Sequence, residues 1–213
     1  SNSRISLSNN DGGASNTVFG YLAGAALTTN GDNNVIIGDN AGNDVTTGDQ
    51  NTIIGHQAGD ALVGGDDNTF IGQSAGGATT AGTSMTIVGR NAGTGVLDTD
   101  AVGTVLVGFG SGAALTSGIG NVAIGYQSLD AATDSDYNTA VGTSALGAVV
   151  SSGDGRNTAV GYNAGLALNS GIKNTFVGAL AGDAMTDGHE NVIIGDNACL
   201  LYTSPSPRDR TRS

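Results

Sequence analysis

From Asn16 onward the chain repeats one short pattern of polar and apolar positions. An Asn opens most copies, Thr or Val follows, then two apolar residues, then Gly, and three positions later Ala or Ser, usually with Gly behind it. The copies read NTVFGYLAG, NVIIGDNAG, NTIIGHQAG, NTFIGQSAG, MTIVGRNAG, TVLVGFGSG, NVAIGYQSL, NTAVGTSAL, NTAVGYNAG, NTFVGALAG and NVIIGDNAC. They begin at Asn16, Asn34, Asn51, Asn68, Met85, Thr104, Asn121, Asn138, Asn157, Asn174 and Asn191, spaced by 17 residues in most cases, 18 once and 19 twice. Self-similarity at so tight a period predicts stacked structural repeats.

Each unit predicts its own elements. Thr or Val followed by an apolar pair, such as Ile36 and Ile37 or Phe70 and Ile71, reads as a short β-strand. Adjacent strand residues point to opposite faces, so the apolar pair predicts that both faces are covered. Gly at the fifth position of every copy predicts a corner with positive φ or a close approach of neighbouring backbones. An apolar twelfth position (Leu27, Val45, Leu62, Leu115, Leu168, Met185) suggests a second short strand, and segments such as TTGDQ and TDGHE read as turns. If units pile up as rungs, the opening Asn residues stack amide upon amide. This density of Gly and β-branched residues disfavours helix.

The expected fold is all-β: a parallel β-solenoid or β-roll of about eleven rungs of ~17 residues, each rising about 4.8 Å, giving a rod on the order of 50 Å long. A second apolar face on so thin a coil favours burial against other chains, hence a homo-oligomer. The longer units at Asn16, Met85 and Asn138 should place small bulges on one edge. Residues 1–15 carry no copy and read as a linker or the end of a preceding module, and residues 16–198 as the β-solenoid repeat domain.

Composition sharpens this picture. With 37 Gly, 2 Pro, no Trp, 4 Phe and 5 Tyr, the chain lacks the aromatic volume of a thick globular core, and it has no collagen period. A net charge of −12, from 19 acidic and 7 basic residues, argues against nucleic-acid binding. The single Cys199 excludes a disulfide framework and a thiolate metal cage. No apolar run reaches the length of a membrane span, so no membrane insertion is expected, and no secretory signal opens the chain. The start SNSRIS, without Met, reads as an internal piece of a longer protein.

Candidate chemistry is sparse. GQSAG, from Gly72 to Gly76, matches the nucleophile-elbow pattern but stands in register with GHQAG and GDNAG of sibling copies. His56 and His189 fall at different positions of their units and read as exposed turn residues. The acidic turns GDNN, GDQN and GGDDN offer oxygen ligands for Ca²⁺, yet the Asp position is not filled in every copy, which favours a solvated acidic edge. Thr17, Thr52, Thr69, Thr86, Thr139, Thr158 and Thr175 form a Thr ladder of the kind ice-binding solenoids display, interrupted by Val35, Val105, Val122 and Val192. No catalytic, cofactor-binding or metal residue is assigned, and no enzymatic activity is expected.

The unit N-T-x-x-G-x-x-A-G with a turn such as TTGDQN resembles the repeats of phage tail-fibre proteins and bacterial surface adhesins, and more distantly the head repeats of trimeric autotransporter adhesins. The resemblance spans Asn16 to Ala198 and implies an extracellular, homotrimeric, β-rich fibre shaft on a virion or cell surface. It also implies attachment to a host receptor such as a glycan or outer-membrane component. The alternative is a monomeric ice-binding or calcium-binding β-solenoid. Beyond Ala198 the repeat breaks: CLLYTSPSPRD, from Cys199 to Asp209, resembles the translation of a transposase-type sequencing adapter, so residues 199–213 read as a non-native tail.

Overall fold

The computed structural model describes residues 13–98, 101–150 and 153–198. The second to fourth positions of the eleven units form eleven strands: β1 (Thr17–Phe19), β2 (Val35–Ile37), β3 (Thr52–Ile54), β4 (Thr69–Ile71), β5 (Thr86–Val88), β6 (Val105–Val107), β7 (Val122–Ile124), β9 (Thr139–Val141), β11 (Thr158–Val160), β12 (Thr175–Val177) and β13 (Val192–Ile194). Two further strands, β8 (Ser135–Asp136) and β10 (Gly153–Asp154), pair in parallel with each other. The eleven make one parallel sheet in chain order, β1 to β7, then β9, β11, β12 and β13. Among the described residues there is no helix. The chain is a parallel β-solenoid, one coil per repeat unit.

Register is set by the repeat itself. Ile36 stands beside Ile53, Ile53 beside Phe70, and Phe70 beside Ile87, so equivalent side chains form columns along the rod. The third position points inward and is fully buried from Ile36 to Phe176, as is the Ala or Ser of the eighth position from Ala41 to Ala181. Between strands the rungs stay hydrogen-bonded around the coil: Asn40 donates to the Tyr21 carbonyl at 2.8 Å, Gly42 to Ala58 at 2.9 Å and Thr46 to Val63 at 2.8 Å.

One expectation needs correcting. The twelfth position forms no strand. Leu27, Val45, Leu62, Leu115 and Leu168 are buried and Met185 packs partly against the core, but they sit in turns closed by bonds such as Val45 N–H to the Gly42 carbonyl at 3.2 Å. Left-handed residues at the seventh and ninth positions, for example Asn40 (φ 54°) and Gly42 (φ 50°), bend the chain too sharply for an extended run there. Within one chain, only the inward half of the apolar pair is covered. The fourth position points outward and stays open, with Ile124 40% and Val160 39% exposed.

The fifth-position glycines satisfy both reasons offered for them. Gly55 has φ +138°, and a Cβ there would stand 2.5 Å from the Gly72 carbonyl oxygen of the next rung. The opening Asn column is an internal hydrogen-bond ladder. Asn51 donates through Nδ2 to Asn34 Oδ1 at 3.1 Å and to the Gly65 carbonyl at 2.8 Å, and its Oδ1 accepts the Asn68 amide at 3.0 Å. Where Thr104 replaces Asn, its hydroxyl donates to the Gly118 carbonyl at 3.1 Å.

Core volume is balanced between columns. On the rungs of β7, β9 and β11 the inward residue is only Ala123, Ala140 or Ala159, and on two of these rungs the ninth position carries Leu129 or Leu146 instead of Gly. Both leucines are fully buried at φ 52°. Elsewhere a side chain there would collide with the larger inward residue: a Cβ on Gly59 would meet Phe70 Cδ2 at 2.8 Å. Left-handed backbone costs a leucine about 1–2 kcal/mol, which burial of its side chain, at about 1.5–3 kcal/mol, offsets.

Of the longer units, the one at Asn16 takes its surplus residue between Thr28 and Gly31. Thr28 still bonds Thr46, and Asn16 Nδ2 still reaches Gly31 as Asn34 Nδ2 reaches Gly48. In the longer units at Met85 and Asn138, residues 99–100 and 151–152 lie outside the described residues, as do most of the 1–15 segment and the 199–213 tail.

Candidate functional site

The largest feature offered to a partner is the outer face of the long sheet. Alternation sends the second and fourth positions of each strand outward. Two columns result: Thr or Val at the second position, and Phe19 followed by ten Ile or Val residues, ending at Ile194, at the fourth. None of the eleven strands of this sheet contains a charged residue, although the chain carries −12. With three-residue strands about 10 Å long and a rod about 50 Å tall, the face covers about 500 Å². Because seven of the eleven second-position residues are Thr, only part of this area is apolar, an aliphatic column of the kind that marks interaction surfaces.

The Thr ladder lies on this face and is in register as two blocks, Thr52 beside Thr69 beside Thr86, and Thr139 beside Thr158 beside Thr175. The acidic turns form a different column, at the edge before each opening Asn. There Asp49 Oδ1 accepts the Asp32 amide at 2.6 Å, Asp66 Oδ1 accepts the Asp49 amide at 2.9 Å, and Asp136 Oδ1 accepts the Ile119 amide at 2.8 Å. These carboxylates tie one rung to the next. Among the described residues no group of three or more His, Cys, Asp or Glu is placed to hold a metal ion.

GQSAG lies at the corner after β4, as its siblings do. Ser74 has φ 54° and its amide, not its hydroxyl, reaches the rung below, donating to the His56 carbonyl at 3.0 Å. His56 Nε2 faces Asp39 Oδ2 at 3.6 Å, both side chains about half exposed. Among the described residues the Ser74 hydroxyl makes no hydrogen bond to His56. His189 is exposed and accepts the Ile172 amide at Nδ1 at 3.2 Å. Two other carboxyls are perturbed. Burial raises the pKa of Asp60, with a smaller push from Asp44, and burial raises that of Asp130.

The sixth position, just past the Gly corner, carries a different residue in most copies. Stacking brings its members into an exposed column that includes Arg90, Phe109, Tyr126 and Tyr162. The signal was there to find, because aromatic residues recur at one register position of neighbouring copies. Against known proteins, no family model, no curated protein and no solved structure matches this chain.

Proposed function

We propose that the chain is a shaft segment of a homotrimeric, extracellular fibre, of a phage tail or a cell surface, that holds or forms a receptor-attachment surface and has no enzymatic activity. The uncharged aliphatic strip on the outer face carries this reading. A chain of charge −12 that keeps every charge off one 50-Å-long face has a surface suited to copies of itself, because like-charged chains can approach closely only where charge is absent. Packed about a threefold axis, the fourth-position columns of three chains would cover one another and complete the burial that a single chain leaves undone.

Disulfide trapping tests it. In a Cys199→Ser background, Val88→Cys should crosslink copies rapidly under mild oxidation, because equivalent residues meet at the axis. Thr133→Cys, on an exposed turn, should not. Equal crosslinking of both would reject the packing.

One observation favours a second reading. The outward Thr52, Thr69 and Thr86, beside Ile54, Ile71 and Val88, make a regular in-register array suited to ordering water on a monomer. A chain that stays monomeric and shows thermal hysteresis would favour ice binding over the fibre.

A further inference from the structure

The sixth-position column stands beyond the Gly corner, off the sheet face, and its middle is aromatic. Arg90, Phe109, Tyr126, Thr143 and Tyr162 occupy it on five successive rungs. Backbone bonds hold it in register: the Ser144 amide donates to the Tyr126 carbonyl and the Asn163 amide to the Thr143 carbonyl, each at 2.9 Å. Phe109 and Tyr126 stack with centroids 5.3 Å apart and ring planes 10° apart, and the Arg90 guanidinium lies over Phe109 at 5.7 Å. On the next rung the stack breaks, because Thr143 stands where a third ring would continue it, and Tyr162 follows one rung later.

Tyr126 and Tyr162 are therefore two rungs apart, about 10 Å at about 4.8 Å per rung. A ring entering between them would lie about 5 Å from each, the separation of an offset stack. The gap is open to solvent, with Tyr126 51% and Tyr162 56% exposed.

We propose that this slot over Thr143 binds one ring of a neutral hexopyranose chain, a reading that rests on the attachment role above and gives it a site. The C–H faces of a pyranose stack on aromatic rings while its hydroxyls project sideways. The exposed Thr143 hydroxyl sits at the slot and makes no hydrogen bond among the described residues, and Gln127 and Asn163, whose side-chain amides are likewise unbonded, occupy the seventh position of the two flanking rungs. A planar aromatic ligand would use the rings and leave those groups idle. An acidic sugar would approach a chain of charge −12, whose nearest column cation, Arg90, is already seated on Phe109.

The full chain should be titrated with cellohexaose, mannohexaose, dextran oligosaccharide and polygalacturonate by calorimetry. Tyrosine fluorescence gives a second readout, undisturbed because the sequence has no Trp. At least one neutral oligosaccharide should bind and alter the tyrosine signal. Tyr126→Ala and Tyr162→Ala should each weaken binding about tenfold. Thr143→Tyr, which fills the slot, should abolish binding with an unchanged circular dichroism spectrum, and Tyr21→Ala, in the same column but far from the slot, should leave binding intact. The proposal is overturned if no neutral oligosaccharide binds, if polygalacturonate is preferred, or if Thr143→Tyr binds as the parent chain does. Masses measured on the same samples separate the two ideas: a monomer that binds sugar overturns the fibre and keeps the slot, and a trimer that binds none does the reverse.

Discussion

Replacing Asn51 by Ala tests the Asn ladder where it is fully enclosed. The side chain makes three bonds: Nδ2 to Asn34 Oδ1, Nδ2 to the Gly65 carbonyl, and Oδ1 from the Asn68 amide. Asn34 Oδ1 keeps the Asn51 amide at 2.9 Å, so it is not stranded. The Gly65 carbonyl and the Asn68 amide lose the partner that Asn51 supplied, at a site where Asn68 is only 1% exposed. Each buried backbone group left without a partner costs about 1–3 kcal/mol, so Asn51→Ala should lower stability by about 2–5 kcal/mol. Asn43→Ala is the matched control. That side chain makes only a 3.5 Å contact to Asn40 Oδ1, and its loss should stay within about 0.5 kcal/mol. Urea unfolding followed by far-ultraviolet circular dichroism measures both. If Asn51→Ala costs no more than Asn43→Ala, the ladder does not hold the rungs.

Three further predictions follow from other columns. Gly55→Ala forces a side chain into φ +138° and against the Gly72 carbonyl, and should cost at least about 3 kcal/mol. Gly64→Ala meets only the end of the Thr47 side chain, at 3.1 Å, and should be nearly neutral by the same urea assay. Thr79 occupies the buried twelfth position with its hydroxyl unpartnered, so Thr79→Val should raise stability by about 1–2 kcal/mol in thermal unfolding. Asp60 and Asp130 have folded-state pKa values raised by burial, so the folded chain holds more protons than the unfolded one just above the ordinary carboxyl range. Their contribution to stability falls as pH rises through that window and is unfavourable at neutral pH. Asp60→Asn and Asp130→Asn should therefore raise the melting temperature at pH 7 and leave it nearly unchanged near pH 3.

The solenoid was legible because the features that build it recur in every unit: the Thr-apolar-apolar triplet, the fifth-position Gly and the opening Asn. What was not legible is backbone conformation imposed by the stacking. The residue before each opening Asn is left-handed whether it is Gln50 (φ 60°), Tyr137 (φ 56°), Arg156 (φ 49°) or Lys173 (φ 58°), and such side chains give no sign of it. The apolar twelfth position suggests a strand, whereas Leu62 and Leu115 are buried at the close of tight turns, their amides bonded to the Gly59 and Gly112 carbonyls. Leu129 and Leu146 stand where most copies have Gly, and they fill the space left by the small inward residues Ala123, Ala140 and Ala159. Of the candidate surface, the aliphatic column was visible as half of each apolar pair, but only the coil geometry decides which half faces out. The aromatic slot needs copies on different rungs to be brought side by side.

Whether other copies cover the aliphatic strip is decided most directly by the mass of the full chain at sedimentation equilibrium. The account predicts a single species at three times the 20.8 kDa chain mass, reduced to one chain mass when Ile54, Val88 and Val141 are all changed to Lys. A parent chain that sediments at one chain mass throughout the micromolar range, with its outer face open to water, would contradict it.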